Sequence, residues 1–255
     1  MRSFIALLLL SCSIAKGQPK SNGVIVDYTQ TTNFNFVWKT YYKLHASNIE
    51  SISIELLPEI KGDYLGSKAS DGSSTSNMIS VKNKDKTPAF FYKLYGNPVV
   101  KLRENHLDNI MHVADTVQLN WAIHADTKLI TDLVCNKATV NFRGRDYVAW
   151  YTKQIPIPAG PYKFSGLPGL ILTIESLDKE VFIEATAISY GVHDVLNTQD
   201  LTPFDVEILS IKQLNLKREK INEEFMKKIH AKSFGNLEGF QKCEDCVSKK
   251  IEYLK

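Results

Sequence analysis

The chain reads as a mainly β protein: an antiparallel sheet or half-open β-barrel with a helical C-terminal tail. Three observations predict this. Short runs rich in Val, Ile, Thr, Tyr and Phe recur from Val24 to Ile188, with turn residues between them. No strand–helix–strand rhythm interrupts them, which argues against a dinucleotide-binding fold. From Lys217 onward the spacing changes to four residues, the period of a helix face.

The elements follow in order. Val24–Gln30 and Phe34–Lys43 are β-branched and aromatic and partly alternate. Ser51–Glu55 alternates cleanly, and 62–77 is a polar loop rich in Ser, Gly and Asp. Met78–Val81, Ala89–Tyr95, Val99–Arg103 and Ile110–Val113 are short strands bounded by turn residues. Gln118–His124 alternates, putting Leu119, Trp121 and Ile123 on one face. Leu129–Cys135 turns at Asn136 into Ala138–Arg143, and Arg143-Gly144-Arg145-Asp146 turns into Tyr147–Thr152. Leu170–Ile174 and Glu180–Ile188 pair around Ser176-Leu177-Asp178. In Lys217–Lys232 the residues Ile221, Phe225 and Ile229 form an amphipathic stripe. A second helix runs from Asn236 toward Lys255 with Phe240, Cys243, Val247 and Ile251 on its apolar face.

The composition sets bounds. Across 255 residues, 44% are hydrophobic and 23% charged, which fits a folded chain with a sizeable core. The one long apolar run is N-terminal, so a multi-span helical membrane protein is excluded. Met1-Arg2, the apolar run Phe4–Leu10, and Ala15 and Gly17 before Gln18 read as a signal peptide over residues 1–17, cleaved after Gly17. The expected destination is the periplasm or the outer membrane. Leu9-Leu10-Ser11-Cys12 loosely resembles a lipoprotein box, which makes Cys12 a candidate lipid anchor. Cleavage removes Arg2 and Lys16 and lowers the net charge from +3 to +1. No clustered positive surplus is left to mark a nucleic-acid footprint. The expected units are the signal peptide, a β domain over 18–210 and a helical tail over 211–255 packing on the sheet.

Three cysteines remain after cleavage. Cys243-Glu244-Asp245-Cys246 is a C-x-x-C that admits a structural disulfide, a redox pair or half a metal site. In an oxidising compartment a structural disulfide is expected, between those two or from Cys135 to one of them.

The most informative stretch is 133–174. Ile155-Pro156-Ile157-Pro158 lacks two N–H donors and cannot be a central strand, so an extended connecting strip is expected. Gly160-Pro161 bends it again, and the Pro and Gly density makes it stiff. Leu167-Pro168-Gly169-Leu170 suits a type II turn, with Gly169 at the position that needs φ > 0.

This stretch resembles the GLPGLI family of exported Bacteroidota-type proteins. The motif stands at Gly166–Ile171. Upstream signatures stand at Cys135 with Lys137-Ala138, at Phe142-Arg143-Gly144-Arg145 and at Ala149-Trp150-Tyr151-Thr152. They continue with Ile155-Pro156-Ile157 and Gly160-Pro161. The resemblance implies export and an antiparallel β fold, with a half-barrel like those of lipoprotein carriers as a fold-level analogy. It implies no reaction.

No nucleophile elbow, phosphate loop or zinc-binding His pair is present, so no catalytic residue, metal ligand or cofactor is assigned. Arg143 and Arg145 flank a glycine on a hairpin and could offer two guanidinium groups to one carboxylate or phosphate. Trp150, Tyr162 and Phe164 add aromatic area, and Pro156, Pro158 and Pro168 fix the strip. These eight residues form the candidate surface for a ligand or partner: an envelope protein, a peptide or a lipid. The function expected is therefore a non-catalytic exported binding protein. The alternative is a metal- or thiol-using periplasmic enzyme, which requires at least three of His106, His112, His124, Cys135, Cys243 and Cys246 to converge.

Overall fold

The computed structural model describes residues 23–34, 37–57, 87–107, 109–191 and 207–233. The expected signal peptide, Cys12, the expected loop 62–77, the expected strand Met78–Val81, the expected second tail helix, Cys243 and Cys246 lie outside the described residues.

The first six strands are β1 (Gly23–Asn33), β2 (Val37–Ala46), β3 (Glu50–Leu56), β4 (Phe90–Leu94), β5 (Val99–His106) and β6 (Asn109–Thr116). Then come β7 (Ala122–Ile130), β8 (Leu133–Phe142), β9 (Arg145–Thr152), β10 (Leu170–Ser176), β11 (Val181–Gly191) and β12 (Ile208–Ser210), followed by helix α1 (Ile211–Ser233). All twelve strands join one sheet in the order β12-β6-β5-β4-β3-β2-β1-β11-β10-β9-β8-β7. Neighbours are antiparallel except β12, which runs parallel to β6.

Connectivity alone shows that this open sheet is rolled. Strands β6 and β7 stand ten steps apart in the sheet, a path of about 48 Å at normal strand spacing. Only residues 117–121 join them, and that length of chain reaches about 20 Å. The two ends of the sheet must therefore approach each other. An ion pair confirms it: Arg143, in the β8–β9 turn, lies 2.6 Å from Asp115 on β6. The expected fold, an antiparallel sheet or half-open barrel, is the one observed: a single open sheet that curls on itself.

Alternation sets the inner face. Val24, Val26 and Tyr28 point inward from β1 and sit beside Ala46, Leu44 and Tyr42 of β2. The same row continues through Ser51 and Ser53, Lys93 and Phe91, Val100 and Leu102, to Asp115 and Val113. All of these are buried. On the far side Tyr147, Ala149 and Tyr151 of β9 complete the lining.

Three boundaries differ from the sequence-based expectation, each for a local reason. Gln118–Trp121 is the link across the opening rather than a strand, with Leu119 and Trp121 packed inward and Ile123 exposed. The turn expected at Asn136 falls at Thr131-Asp132, both with positive φ, and Asn136 sits within β8 opposite Tyr151. A two-residue hairpin loop needs positive φ at both positions, which Asp tolerates and which fits the strand twist. Helix α1 begins six residues before Lys217. The backbone N–H and hydroxyl of Ser210 donate to Gln213 Oε1, and the Gln213 N–H donates back to Ser210 Oγ, a reciprocal cap that starts the helix early. Leu214 is buried in the core and Arg218 pairs with Glu104, so the helix lies against the β5–β6 end of the sheet.

Candidate functional site: the Pro/Gly strip inside the roll

Between β9 and β10 the chain crosses the interior as a strip, residues 153–169. Its prolines explain how it holds its shape without a ladder. The N–H of Ile157 donates to Ile155 O, that of Ala159 to Ile157 O and that of Gly169 to Leu167 O. Each bond closes a three-residue turn centred on Pro156, Pro158 or Pro168. The fixed φ of proline is close to what an inverse γ-turn requires of its central residue. The turn at Pro168 is thus this tighter form and not the expected type II, and Leu170 donates instead to Ile155 O. Gly169 has φ +154°, and a Cβ there would stand 2.1 Å from Thr152 O. The glycine is required by a close backbone approach as much as by φ.

The inward side of the strip is core. Ile155, Ile157, Ala159, Phe164 and Leu167 are buried. The Phe164 ring meets Tyr147 at 4.9 Å, Phe142 at 5.7 Å, and Trp121 and Tyr162 at 6.2 Å. Polar bonds fix the strip at both sheet ends. Lys93 on β4 donates to Gly160 O at 2.9 Å and Phe164 O at 2.8 Å. Lys163 pairs with Asp115 at 2.8 Å, and Arg143 adds two bonds to the same carboxylate and one to Thr116 O. Trp121 donates to Ser165 O, and Tyr28 donates to Ile171 O just beyond the strip. Burial pushes the Asp115 carboxyl up, but the Arg143 hydrogen bonds and the Lys163 charge outweigh it and hold the group below its usual range. Lys93 meets only carbonyl oxygens among the described residues, and burial pushes its ammonium down to about 7.

The eight candidate residues do not form one patch. Arg143 and Arg145 do meet carboxylates, but separate ones and the chain's own. Arg143 bridges the opening to Asp115, whereas Arg145 is buried and tied to Asp178 and Glu180 of the β10–β11 turn. The shared-anion expectation is corrected because Arg143 occupies a turn position and Arg145 opens a strand. Phe164 is interior. Trp150 lies on the outer face of the sheet opposite Lys137, with Lys128 Nζ 4.3 Å from its ring centre. Tyr162 is half-buried against Phe91 at 4.8 Å. Pro156 and Pro168 are exposed, and Pro158 is half-exposed at the edge of a pocket.

Among the described residues, the groups required for metal chemistry are dispersed. His106 bonds Asn222, His124 bonds Thr139, and His112 is buried, its imidazolium disfavoured by burial and by Arg103. Among the described residues no three His, Cys, Asp or Glu side chains could hold a metal ion. Cys135 is a buried free thiol pushed up to about 11 by burial, which disfavours the nucleophilic thiolate.

Lys93, Asp115 and Lys163 were not singled out from the sequence. For the first two a signal existed. In Phe-Phe-Tyr-Lys-Leu-Tyr and Ile-Met-His-Val-Ala-Asp, alternation places Lys93 in step with Phe91, and Asp115 in step with Met111 and Val113. A charge on the apolar face of a strand asks for a buried partner.

The fold and site together define a class: a rolled, open β-sheet with an internal proline strip locked by buried ion pairs. Comparisons with known proteins bear on the fold alone. A family model described as "Protein of unknown function (Porph_ging)" matches residues 143–173, which falls within the stretch that resembles the GLPGLI family, although that name is not confirmed. Among curated proteins no sequence matches the chain. Two crystal forms of PNGF-II share the fold, at 13% identity with TM-score 0.53 and 15% identity with TM-score 0.50. The matches cover 78% and 77% of this chain but 34% and 32% of that protein, so the chain spans about a third of its length. A putative outer membrane lipoprotein-sorting protein domain from Vibrio parahaemolyticus superposes at TM-score 0.33 and 6% identity, covering 70% of this chain and 88% of that one. That superposition is too loose to carry a functional likeness.

Proposed function

We propose that this chain is an exported, non-catalytic envelope protein that binds a partner protein, peptide or lipid through the solvent side of its Pro/Gly strip. The observation that carries this is the lock beneath the strip. Asp115, Lys163, Arg143 and Lys93 hold a segment whose outward residues include Pro156, Pro158 and Pro168. Binding to a surface already held in place costs little ordering entropy. Arg143 and Phe164 support that surface from beneath, Arg145 holds the β10–β11 turn, and none of the three touches the partner. The leader over residues 1–17 supports export to the periplasm or outer membrane, with cleavage after Gly17 or lipidation at Cys12.

Native mass spectrometry of the protein from its own cell envelope tests both halves. A chain beginning at Gln18, carrying a partner that is lost from a Pro156→Ser/Pro168→Ser double variant that still folds, is the expected result. Undiminished capture by that variant overturns the surface assignment. A retained leader overturns the localisation.

A further inference from the structure

At the β4–β5 end of the sheet a half-open pocket of about 290 Å³ lies between the turn 94–98 and the edge of the strip. Its apolar walls include Val100, Val117, Leu119, Pro98 and Pro158, and Lys93 and Tyr95 also line it. Lys93 is 3% exposed. An ammonium has three N–H donors, and the carbonyls of Gly160 and Phe164 take two of them. No carboxylate among the described residues neutralises it. Asp115, two strands along the same row, is already held by Arg143 and Lys163. Ser51 is the cross-strand neighbour of Lys93, and the Tyr95 hydroxyl lies beside Ser51. Both hydroxyl oxygens are buried without a hydrogen bond of good geometry. One cationic donor with capacity to spare and the Tyr95 side chain thus line an apolar-walled recess, with the Ser51 hydroxyl beside Tyr95, an arrangement that normally has a partner.

We propose that this pocket binds a monocarboxylate carried on a single short apolar chain. Two carboxylate oxygens match the Lys93 ammonium and the Tyr95 hydroxyl, and one negative charge matches one cation. The volume is at the small end of ligand pockets, about 300–1,000 Å³, which suits one short chain and is too little for a two-chain lipid. The depressed ammonium of Lys93 agrees, since it reflects burial without a counter-ion. This site borders the strip at Pro158 and shares Lys93 with the lock beneath it, but it is read by titration with a small carboxylate and not by partner capture, so the two readings can fail separately.

Isothermal titration of the purified chain with sodium octanoate, sodium acetate and 1-octanol tests it. Octanoate should bind one to one, at least about tenfold more tightly than acetate or octanol. Lys93→Met should weaken octanoate by about tenfold or more. Leu119→Glu, at a half-buried wall position, should do the same by charge repulsion if Lys93→Met fails to fold, while Leu119→Lys keeps binding. Octanol equal to octanoate would remove the role of Lys93. Acetate equal to octanoate would reduce the site to a bare anion hole. Absence of octanoate binding, or indifference to Leu119→Glu, would sink the proposal outright.

Discussion

Two buried lysines fix the same strip, Lys163 from within it and Lys93 from β4, and their partners differ. Lys163 and Arg143 face a fully buried carboxylate, Asp115, across the opening of the roll. Lys93, on the neighbouring part of the same inner face, faces among the described residues only the carbonyls of Gly160 and Phe164. The first region is a clamp, because opposite charges in a dry interior hold each other and join the two ends of the sheet. The second is a cation held in position without neutralisation, which costs stability and leaves capacity for something else.

The sharpest way to break the comparison is Asp115→Ala. It leaves two cations without their shared carboxylate, and the chain should lose about 3–5 kcal/mol in denaturant unfolding. A loss under about 1 kcal/mol would mean that the clamp does not hold the roll closed.

Next is Gly169→Val at the exit of the strip, where the added Cβ meets Thr152 O and the φ is disfavoured. The expected cost is about 3 kcal/mol. Because this loss is steric, it should add to that of Asp115→Ala if the clamp and the exit are independent. A shortfall in the double variant would show that opening the clamp also frees the strip.

Lys93 should show its character in pH dependence. Its folded value, about 7, lies below its ordinary 10.5, so between those values the unfolded chain holds one more proton than the folded one. Stability should therefore rise with pH across that window, the cost of the buried charge being fully present below 7. Thermal unfolding from pH 7 to 9, below the ionisation of tyrosine, should show wild type gaining on Lys93→Met. Parallel curves would show that Lys93 carries no such cost.

The smallest effects belong on the solvent side. Pro156→Ala and Pro168→Ala remove only the fixed φ of an exposed turn and should cost about 0.4–1 kcal/mol each. A loss comparable to that of Asp115→Ala, read from the same unfolding curves, would place these prolines in the clamp rather than on a surface.

How much was legible follows from the same residues. Strand identity came from period-two patterning, which is local. So did the Pro156–Pro158 strip, since missing donors exclude a central strand wherever the chain goes. Turn position was less secure. Asn136 is a good turn former but sits in a ladder, because the hairpin with β9 requires it opposite Tyr151. The start of α1 was readable from Ser210 and Gln213, although the apolar stripe drew attention downstream.

By itself the sequence determined the class of fold, the stiffness of the strip and the leader-like N-terminus, because alternation, fixed φ and an apolar run act over a few residues. Only the tertiary structure decided that the strip lies inside the roll and that Arg143 and Arg145 part company. It also decided that Asp115 has its cations while Lys93 has no carboxylate among the described residues. Those outcomes depend on strands ten places apart in one sheet being brought together, and a long-range closure of that kind leaves no periodic trace in the chain.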